Sequence, residues 1–477
     1  MTYDYDLIVI GAGGGGLTAA IGGASIGARV LLIEGEKLGG DCTHYGCVPS
    51  KALIYASKLA HAQTQRASVG LKPVSVVENS TRDVLAHVKR VVDDVENRFE
   101  DPEEIKKSGV DIEMGFATFT DAHTVTVNDK SISAKKFVIA TGARPVELPI
   151  PGLQDVEPLT NRTVFEPRDL RSLLIIGSGP IGCELGQAFA RLGVDVSIVT
   201  RDDLPLGRDD QKAGELVEAS MKRDGVKFYY KKDIVKAQSC DGQKGLVVKE
   251  LGSHDALEEE IWTDEILVAV GRAPNVENLG LETIGVQFDN RKGITVDEKT
   301  RTSVPHIYAV GDIATPWKFT HYANHMAKVA LTNMIFHYPA RISSVIPRAT
   351  FVSPEVASIG VTTRDRDFDT SLHVFEKQYD HVDRAITDLS ENGFFQIITD
   401  DKGMIKGATI VGGPAGEMIN EMALAMEQGI SITKLSDTIH AYPTYGYGLR
   451  NCADEFRAMG YTEGKKAWVK KIFNLRG

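Results

Sequence analysis

The stretch Leu7-Ile8-Val9-Ile10-Gly11-Ala12-Gly13-Gly14-Gly15-Gly16 decides the architecture of the first part of this chain. Four apolar residues in a row read as a buried strand, the glycines as a tight turn, and the small residues up to about Ser25 as a helix. A second apolar run, Arg29 to Ile33, stops on Glu34. Strand, glycine turn, helix, strand and acid in that order form the dinucleotide-binding fingerprint. Gly11 permits the turn, Gly13 lets backbone approach a pyrophosphate, Gly16 lets helix and strand pack closely, and Glu34 is placed to accept from a ribose hydroxyl.

The pattern occurs a second time. Leu173 to Ile176 leads into Gly177-Ser178-Gly179-Pro180-Ile181-Gly182, followed by a helix to about Leu192 and a strand, Asp195 to Val199. Two such units imply two dinucleotides, and the economical assignment is FAD on the first and a nicotinamide on the second. An acid at the end of the second strand would receive a 2′-hydroxyl, whereas arginine would receive a 2′-phosphate. Arg201, with Arg208 a short loop further on, favours NADPH over NADH; Asp202 and Asp203 pull the other way, and solvated surface arginines are the alternative.

Further apolar strands end in small residues: Phe137 to Thr141 and Gly142, and Ile266 to Gly271, each followed closely by Arg and Pro. They read as returns between domains. Ile307 to Gly311 stops on Asp312, an acid placed to bind the sugar-like chain of a cofactor. From about Pro347 the pattern changes to strands with turns, Ala349 to Val352 and Gly393 to Ile398, then a helix from Ala415 to Gln428. At roughly 100–200 residues per domain, 477 residues make about three domains. The boundaries read as 1–155 with 275–345, then 156–274, then 346–477.

A 42% hydrophobic and 25% charged composition is that of a globular protein. The formal charge of -11, with no basic stripe, argues against nucleic acid as a partner. No run of about 18 apolar residues provides a membrane span, and the start, Met1 to Ile10, does not read as a signal peptide. Five cysteines suit a reducing, cytoplasmic setting, where a disulfide is catalytic rather than structural. Cys183, Cys240 and Cys452 stand alone and read as small buried hydrophobes.

Cys42 and Cys47 do not stand alone. They lie in Gly39-Gly40-Asp41-Cys42-Thr43-His44-Tyr45-Gly46-Cys47-Val48-Pro49-Ser50-Lys51, with a helix expected to begin after Pro49. Cys47 would then sit at a positive helix end, which lowers a thiol pKa. The alternatives are a metal site, for which only His44 is a nearby further ligand, and a pair of inert thiols.

These residues resemble the pyridine nucleotide-disulfide oxidoreductases, the family of dihydrolipoamide dehydrogenase, glutathione reductase and mercuric reductase. The likeness runs the length of the chain in order, and the segment from Gly39 to Lys51 is its most specific part. It implies an α/β fold of two Rossmann-like domains, for FAD and NAD(P), with a C-terminal α+β dimerisation domain and hence a homodimer. It also implies that Cys47 lies against the flavin while Cys42 meets substrate, and that Lys51 hydrogen-bonds near the flavin and pairs with Glu184. Gly40, Thr141, Gly142 and Gly271 fall at cofactor-binding positions, Asp312 matches the acid on the FAD ribitol, and His321 opens a helix near the flavin ring.

The sequence departs from that pattern near its end. Where the dithiol enzymes carry a His-Pro motif and then Glu, this chain reads His440-Ala441-Tyr442-Pro443-Thr444-Tyr445-Gly446-Tyr447. Tyrosine titrates near 10, so Tyr442 is a poor proton shuttle at working pH, and His440 is the alternative. Tyrosine at this place, with Phe319-Thr320-His321, looks like the mercuric-reductase-like branch. The vicinal cysteines of mercuric reductase are nevertheless missing from the stretch Lys470 to Gly477, and Cys452 alone makes no such pair. The leading expectation is an NADPH-dependent, FAD-containing reductase of a disulfide or thiol-reactive oxidant. Dihydrolipoamide dehydrogenase, a mercuric reductase-like metal reductase, and a redox sensor or electron-donor subunit are the alternatives.

Overall fold

The structure, a computed structural model, describes residues 2–73, 79–253, 256–336, 339–363 and 371–475. Arg476 and Gly477 of the C-terminal stretch lie outside the described residues. By its internal contacts the chain divides into two units. The first contains 1–177, 188–201 and 231–342; the second contains 178–187, 202–230 and 343–477.

The first unit opens with β1 (Tyr5–Ile10), α1 (Gly14–Ser25) and β2 (Val30–Glu34), the strand, helix and strand read from the glycine turn. Helices α2 (Gly40–His44), α3 (Cys47–Thr64), α4 (Thr81–Phe99) and α5 (Pro102–Lys107) follow. Strands β3 (Val110–Met114), β4 (Thr118–Asp121), β5 (Thr124–Val127) and β6 (Lys130–Ile139) complete a sheet in the order β3-β2-β1-β6-β5-β4. Ile307–Ala309 also pairs with β6. β1 lies parallel to β2 and β6, with Leu7 opposite Val30 and Lys136, whereas β5 runs antiparallel to β6. Leu7 to Ile10 and Val30 to Ile33 are all buried, as unbroken apolar runs in a sheet covered on both faces should be.

The turn between β1 and α1 explains its glycines. Gly11 has φ +101°, and a side chain there would meet the Ala140 carbonyl oxygen at 2.4 Å. At Gly16 a Cβ would stand 1.8 Å from the Gly11 carbonyl oxygen, so helix and turn touch through hydrogen alone. The buried residues of α1, Gly15, Gly16, Ala19, Ala20 and Gly23, recur at helical spacing on one face. Their small size lets the helix Thr320–Ile335 come close, Ala323 being the neighbour a Cβ at Gly15 would meet.

The second strand-turn-helix is equally present. Ser172–Ile176 lies parallel to Asp195–Val199 and to Glu265–Val268, and helix Pro180–Arg191 starts directly after Gly179. Lys232–Cys240, Gln243–Glu250 and Glu259–Thr263 form a separate antiparallel sheet.

The second unit is built on a five-stranded antiparallel sheet. Its order is Arg348–Thr350, Val356–Gly360, Ile405–Val411, Phe394–Thr399, His373–Gln378. Helices Ala415–Glu427 and Tyr447–Met459 cover it, with Phe395, Ile397, Ile410, Ile419, Met422 and Leu449 in the core.

Two expectations need correction. The helix placed after Pro49 begins at Cys47 with Gly46 as its N-cap, because the first-turn N–H groups have no intrahelical partner and proline at the third helical position costs no bond. Cys183 and Cys452 are buried as expected, but Cys240 is exposed, at the end of a strand.

The contrast between Gly16 and Gly13 is testable. Gly16→Ala is expected to destabilise the protein by about 1–3 kcal/mol or more through overpacking. Gly13→Ala, where nothing stands within 4 Å of a Cβ, is expected to leave the melting temperature of the cofactor-free protein nearly unchanged. Thermal denaturation of both variants checks this, and equal melting temperatures would refute it.

Candidate active site

Cys42 is the third residue of the short helix α2 and Cys47 the first of the long helix α3, so the junction of the two helices, Tyr45 and Gly46, brings the thiols together. Both are free thiols in this structure; Cys42 is half-buried and Cys47 is exposed. The Cys42 thiol hydrogen-bonds to Cys47 and lowers its pKa to about 6. Desolvation opposes this, while the Lys51 ammonium, one turn along α3, and the Thr320 hydroxyl at 3.8 Å assist it. Cys42 is pushed up, first by the same hydrogen bond and then by burial and the charge on Cys47. One thiol is therefore set to be a thiolate and the other to hold the proton.

The segment carrying these thiols is fastened on two sides. Thr43 and His44 are buried against Glu100, which caps the C-terminal end of α4. The Thr43 hydroxyl donates to Glu100 Oε1 at 2.5 Å, and His44 Nε2 donates to the Leu38 carbonyl at 2.7 Å, which fixes that nitrogen as the protonated one. Glu100 Oε2 is buried without a hydrogen bond, 3.9 Å from His44 Nε2, and burial pushes the Glu100 carboxyl up. Gly39, at φ +89°, makes this possible: a Cβ there would lie 1.9 Å from Glu100 Oε2.

On the other side Asp41 accepts from Asn161 Nδ2 at 3.1 Å and from an Arg272 guanidinium nitrogen at 2.5 Å. Asn161 also donates to the Tyr45 carbonyl, and Arg162 stacks over the Tyr45 ring at 4.9 Å while pairing with Glu36. Arg272 Nε is buried without a hydrogen bond, 3.6 Å from the Asp312 carboxylate. Burial pushes Asp312 up, against the pull of Arg272 and Lys318.

The other expected site residues of this unit gather where β1 and β6 end. Gly11, Gly13 and Gly16 form the turn already described, and Gly40 packs on it, a Cβ at Gly40 lying 2.8 Å from Gly13 Cα. Glu34 accepts from Ala12 N at 2.6 Å and Glu36 N at 2.7 Å, stiffening the turn. Thr141 exchanges hydrogen bonds with Asn275, whose N–H donates to the Gly142 carbonyl. Gly271 accepts from Val146 N next to Arg272. Lys51 Nζ reaches Ser50 Oγ at 3.3 Å, and His321, exposed in the first turn of the helix Thr320–Ile335, stacks on Phe319.

At the second glycine turn Gly177 has φ +107°. Arg201 leaves the end of its strand 75% exposed, with its guanidinium 3.1 Å from Asp233. In the second unit Gly179 has open space where a Cβ would be, Gly182 is buried in its helix and Arg208 is exposed. Glu184 is buried there and accepts from Phe351 N at 2.8 Å.

The Tyr442 hydroxyl donates to the Asp383 carboxylate, which pushes its pKa up and makes it a poorer acid. Tyr447 packs edge-on against Tyr442 and accepts from Arg450 at 2.9 Å. His440 has both ring nitrogens against oxygen acceptors, the Thr438 carbonyl at 3.0 Å and Glu421 at 2.9 Å.

The residues fit the two dinucleotides. α1 starts after its N-cap, Gly13, with no side-chain cap and no acid in its first turn, leaving backbone N–H groups for a phosphate, and nothing stands within 4 Å of a Cβ at Gly13 or Gly142. Helix Pro180–Arg191 likewise has no acid in its first turn.

Sequence reading missed Glu100, Asn161, Arg162 and Arg272 as supports of the thiol segment. Glu100 follows Thr43 by 57 residues and Arg272 follows Asp41 by 231, so no local spacing could have signalled them. In the sequence Thr320 stands only as the middle of Phe319-Thr320-His321.

The asymmetry of the two thiols has a direct consequence. In the reduced protein, alkylation of Cys47 by iodoacetamide is expected to titrate with a midpoint near pH 6, and Cys42→Ala or Lys51→Met is expected to move it upward. Mass-spectrometric rates across pH measure this. A midpoint at the ordinary thiol value of about 8.5 would contradict the assignment.

Comparison with known proteins agrees with this geometry. Residues 5–327 match the family model described as pyridine nucleotide-disulphide oxidoreductase, and residues 346–451 match its dimerisation domain. A dihydrolipoyl dehydrogenase of Thermus scotoductus is 34% identical over 94% of this chain and 97% of its own length. A mercuric reductase of Lysinibacillus sphaericus is 32% identical over 95% of this chain and 83% of its own. Among solved structures, the Cu(II) complex of the HOCl-induced flavoprotein disulfide reductase RclA from Escherichia coli superposes with a TM-score of 0.83. It covers 95% of this chain and 99% of its own at 24% identity, a likeness of fold. The chain belongs to the pyridine nucleotide-disulphide oxidoreductase family, FAD-dependent enzymes that use a pyridine nucleotide and act on sulfur groups.

Proposed function

We propose that this protein is an NADPH-dependent disulfide reductase whose redox centre is the Cys42–Cys47 pair. The observation that carries the reading is the placing of the Cys42 and Cys47 thiols in contact where α2 gives way to α3, with Lys51 one turn along and the Thr320 hydroxyl 3.8 Å from Cys47, a setting that pushes Cys47 down and Cys42 up. Bound flavin and nicotinamide supply the hydride and electron-pair chemistry that reduces the pair.

What the chain's own residues do is thiol–disulfide exchange. Cys42, once its proton has passed to its partner or to solvent, attacks one sulfur of the substrate disulfide, forming a mixed disulfide and releasing the first thiol. The Cys47 thiolate then attacks Cys42 Sγ, expelling the second thiol and leaving a Cys42–Cys47 disulfide. Lys51 holds negative charge beside Cys47, and Asp312, Thr141, Gly40 and the turn Gly11–Gly16 would hold the flavin nucleotide with Glu34 on its ribose. His321 stands near the flavin ring in this reading, and Glu184 is the proposed partner of Lys51. Gly177, Gly179, Gly182 and Gly271 would border the nicotinamide nucleotide, and Arg201 and Arg208 would meet its 2′-phosphate. What supports NADPH is the place of Arg201 just past the end of its strand, where a 2′-phosphate would take over the pairing its guanidinium makes with Asp233 at 3.1 Å.

The proposed division gives FAD to 1–155 and 275–345, NADPH to 156–274, and pairing of two copies to 346–477, in a reducing, cytoplasmic setting. Tyr442 would line the substrate approach. Its hydrogen bond to Asp383 argues against a proton-shuttle role, so a dihydrolipoamide dehydrogenase activity, favoured by the 34% identical relative, is the second reading.

Anaerobic reduction of the holoenzyme with NADPH is expected to develop a long-wavelength absorbance that Cys47→Ser abolishes. A screen of small disulfides, protein disulfides, metal ions and quinones under NADPH should then show disulfide turnover that Cys42→Ser lowers at least 100-fold, as expected when an essential nucleophile is removed. A strong preference for NADH, or retention of the band in Cys47→Ser, would overturn the reading.

A further inference from the structure

In the first unit β6 and Ile307–Ala309 run side by side and parallel, with Val138 opposite Tyr308, and Arg301 pairs antiparallel with Tyr308 on its other flank. Between these segments and the last turns of the helix Thr320–Ile335 lies a cavity of about 420 Å³. Lys136, Lys299, Arg301 and Tyr308 line it, and among the described residues no carboxylate does. Asn333, also on its wall, follows Thr320 by about 20 Å of helix rise, so the cavity stands at the far end of that helix from the thiols.

The protein satisfies the polar groups of this cavity only in part. Tyr308 is 5% exposed, yet its hydroxyl has no hydrogen-bond partner among the described residues. Lys136 Nζ donates to the Met334 carbonyl, a dipole and not an anion, and burial pushes its pKa down. The Lys299 ammonium has no ion-pair partner among the described residues. Arg301 gives Nε and Nη2 to Asp297 Oδ2, which balances its charge and fixes its plane while Nη1 is left over. His306 adds no charge: Nε2 meets the Ala122 carbonyl at 2.6 Å, the ring stacks on His123 at 4.0 Å, and burial pushes its pKa down. Two ammonium groups therefore lack a counter-ion, and a buried hydroxyl and a guanidinium edge lack acceptors. Such groups are unfavourable where they stand until an anion reaches them.

Charge and geometry select that anion. Two uncompensated positive charges match a dianion, and donors on different walls suit a tetrahedral group with three acceptor oxygens better than a flat carboxylate. A phosphate monoester has both properties. The volume is that of a small-molecule site, so the phosphate carries an organic part. Asn333 spends its amide N–H groups on the Val329 and Ala340 carbonyls, which leaves Oδ1 to accept from a ligand hydroxyl. We infer that this cavity binds a hydroxylated organic phosphate of sugar-phosphate size, at a site distinct from the flavin cradle.

Isothermal titration calorimetry of the full-length, FAD-loaded protein with ribose 5-phosphate, inorganic phosphate and ribose tests this. Ribose 5-phosphate carries no adenine or nicotinamide. It is expected to bind once per chain and about tenfold or more tighter than inorganic phosphate, with ribose giving no heat. Tyr308→Phe, which keeps the ring in the core, Lys136→Gln and Lys299→Gln are each expected to weaken binding about tenfold or more, as loss of a hydrogen bond to a charged group does. Lys299 is half-buried at the surface, so its variant keeps the test decisive if a core variant fails to fold. Arg201→Gln is expected to leave ribose 5-phosphate binding unchanged. NADPH-dependent turnover without the sugar phosphate is expected to be unchanged in Tyr308→Phe and Lys299→Gln, so failure here and failure of the reductase reading are distinguishable. Absence of binding, binding that survives all three cavity substitutions, or binding lost in Arg201→Gln overturns the inference. Inorganic phosphate binding as tightly as the ester also overturns it, since the cavity would then take a bare anion.

Discussion

The contact between Cys42 and Cys47, which pushes the first thiol up and the second down, is the interaction that the rest of the site serves. Two thiols in contact cannot both ionise, so whatever favours a thiolate on one favours the proton on the other. Here the hydrogen bond between the thiols acts first, lowering Cys47 and raising Cys42; burial raises both, and the Lys51 ammonium and Thr320 hydroxyl favour the thiolate on Cys47. The result is a division of labour, with a resident thiolate and an exchanging thiol, set by position rather than by any difference in the residues themselves.

That division survives only if the thiols stay in register, and the supports do this with unusual economy. Glu100 reaches Thr43 through the space left by the missing side chain of Gly39. Arg272 stands between two carboxylates, Asp41 beside the thiol and Asp312 beside the expected flavin chain, with one nitrogen still unsatisfied. Leaving a buried donor unpaired costs about 1–3 kcal/mol, so the residue is suited to a polar group arriving with the cofactor. The thiol segment and the cofactor cradle therefore share one electrostatic element.

Much of this was legible beforehand, for reasons that can be named. Apolar strands ending in glycine turns are local, and each predicted one appears within a few residues, because close approach of α1 to the sheet leaves no alternative to glycine at Gly16. The Cys-x4-Cys segment was legible because its chemistry is written within thirteen residues. Glu100, Asn161 and Arg272 were not, since each is an ordinary polar residue that acquires meaning only through contacts far along the chain. The start of α3 was misplaced because proline at the first turn fits more than one position. The sequence presents Tyr442 as a weak acid, but Asp383, which its hydroxyl meets 59 residues away, has no local signal there.

The long reach of Arg272 and Thr320 has a further consequence for the protein's early life. Cys42 and Cys47 are made first, whereas Arg272, which holds Asp41, follows that residue by 231 positions and Thr320 follows Cys47 by 273. Cys42 and Lys51, the groups that act most to favour a thiolate on Cys47, lie within five residues of it, whereas the Thr320 hydroxyl reaches it only when the first unit has closed, so the last part of its setting is added by long-range folding.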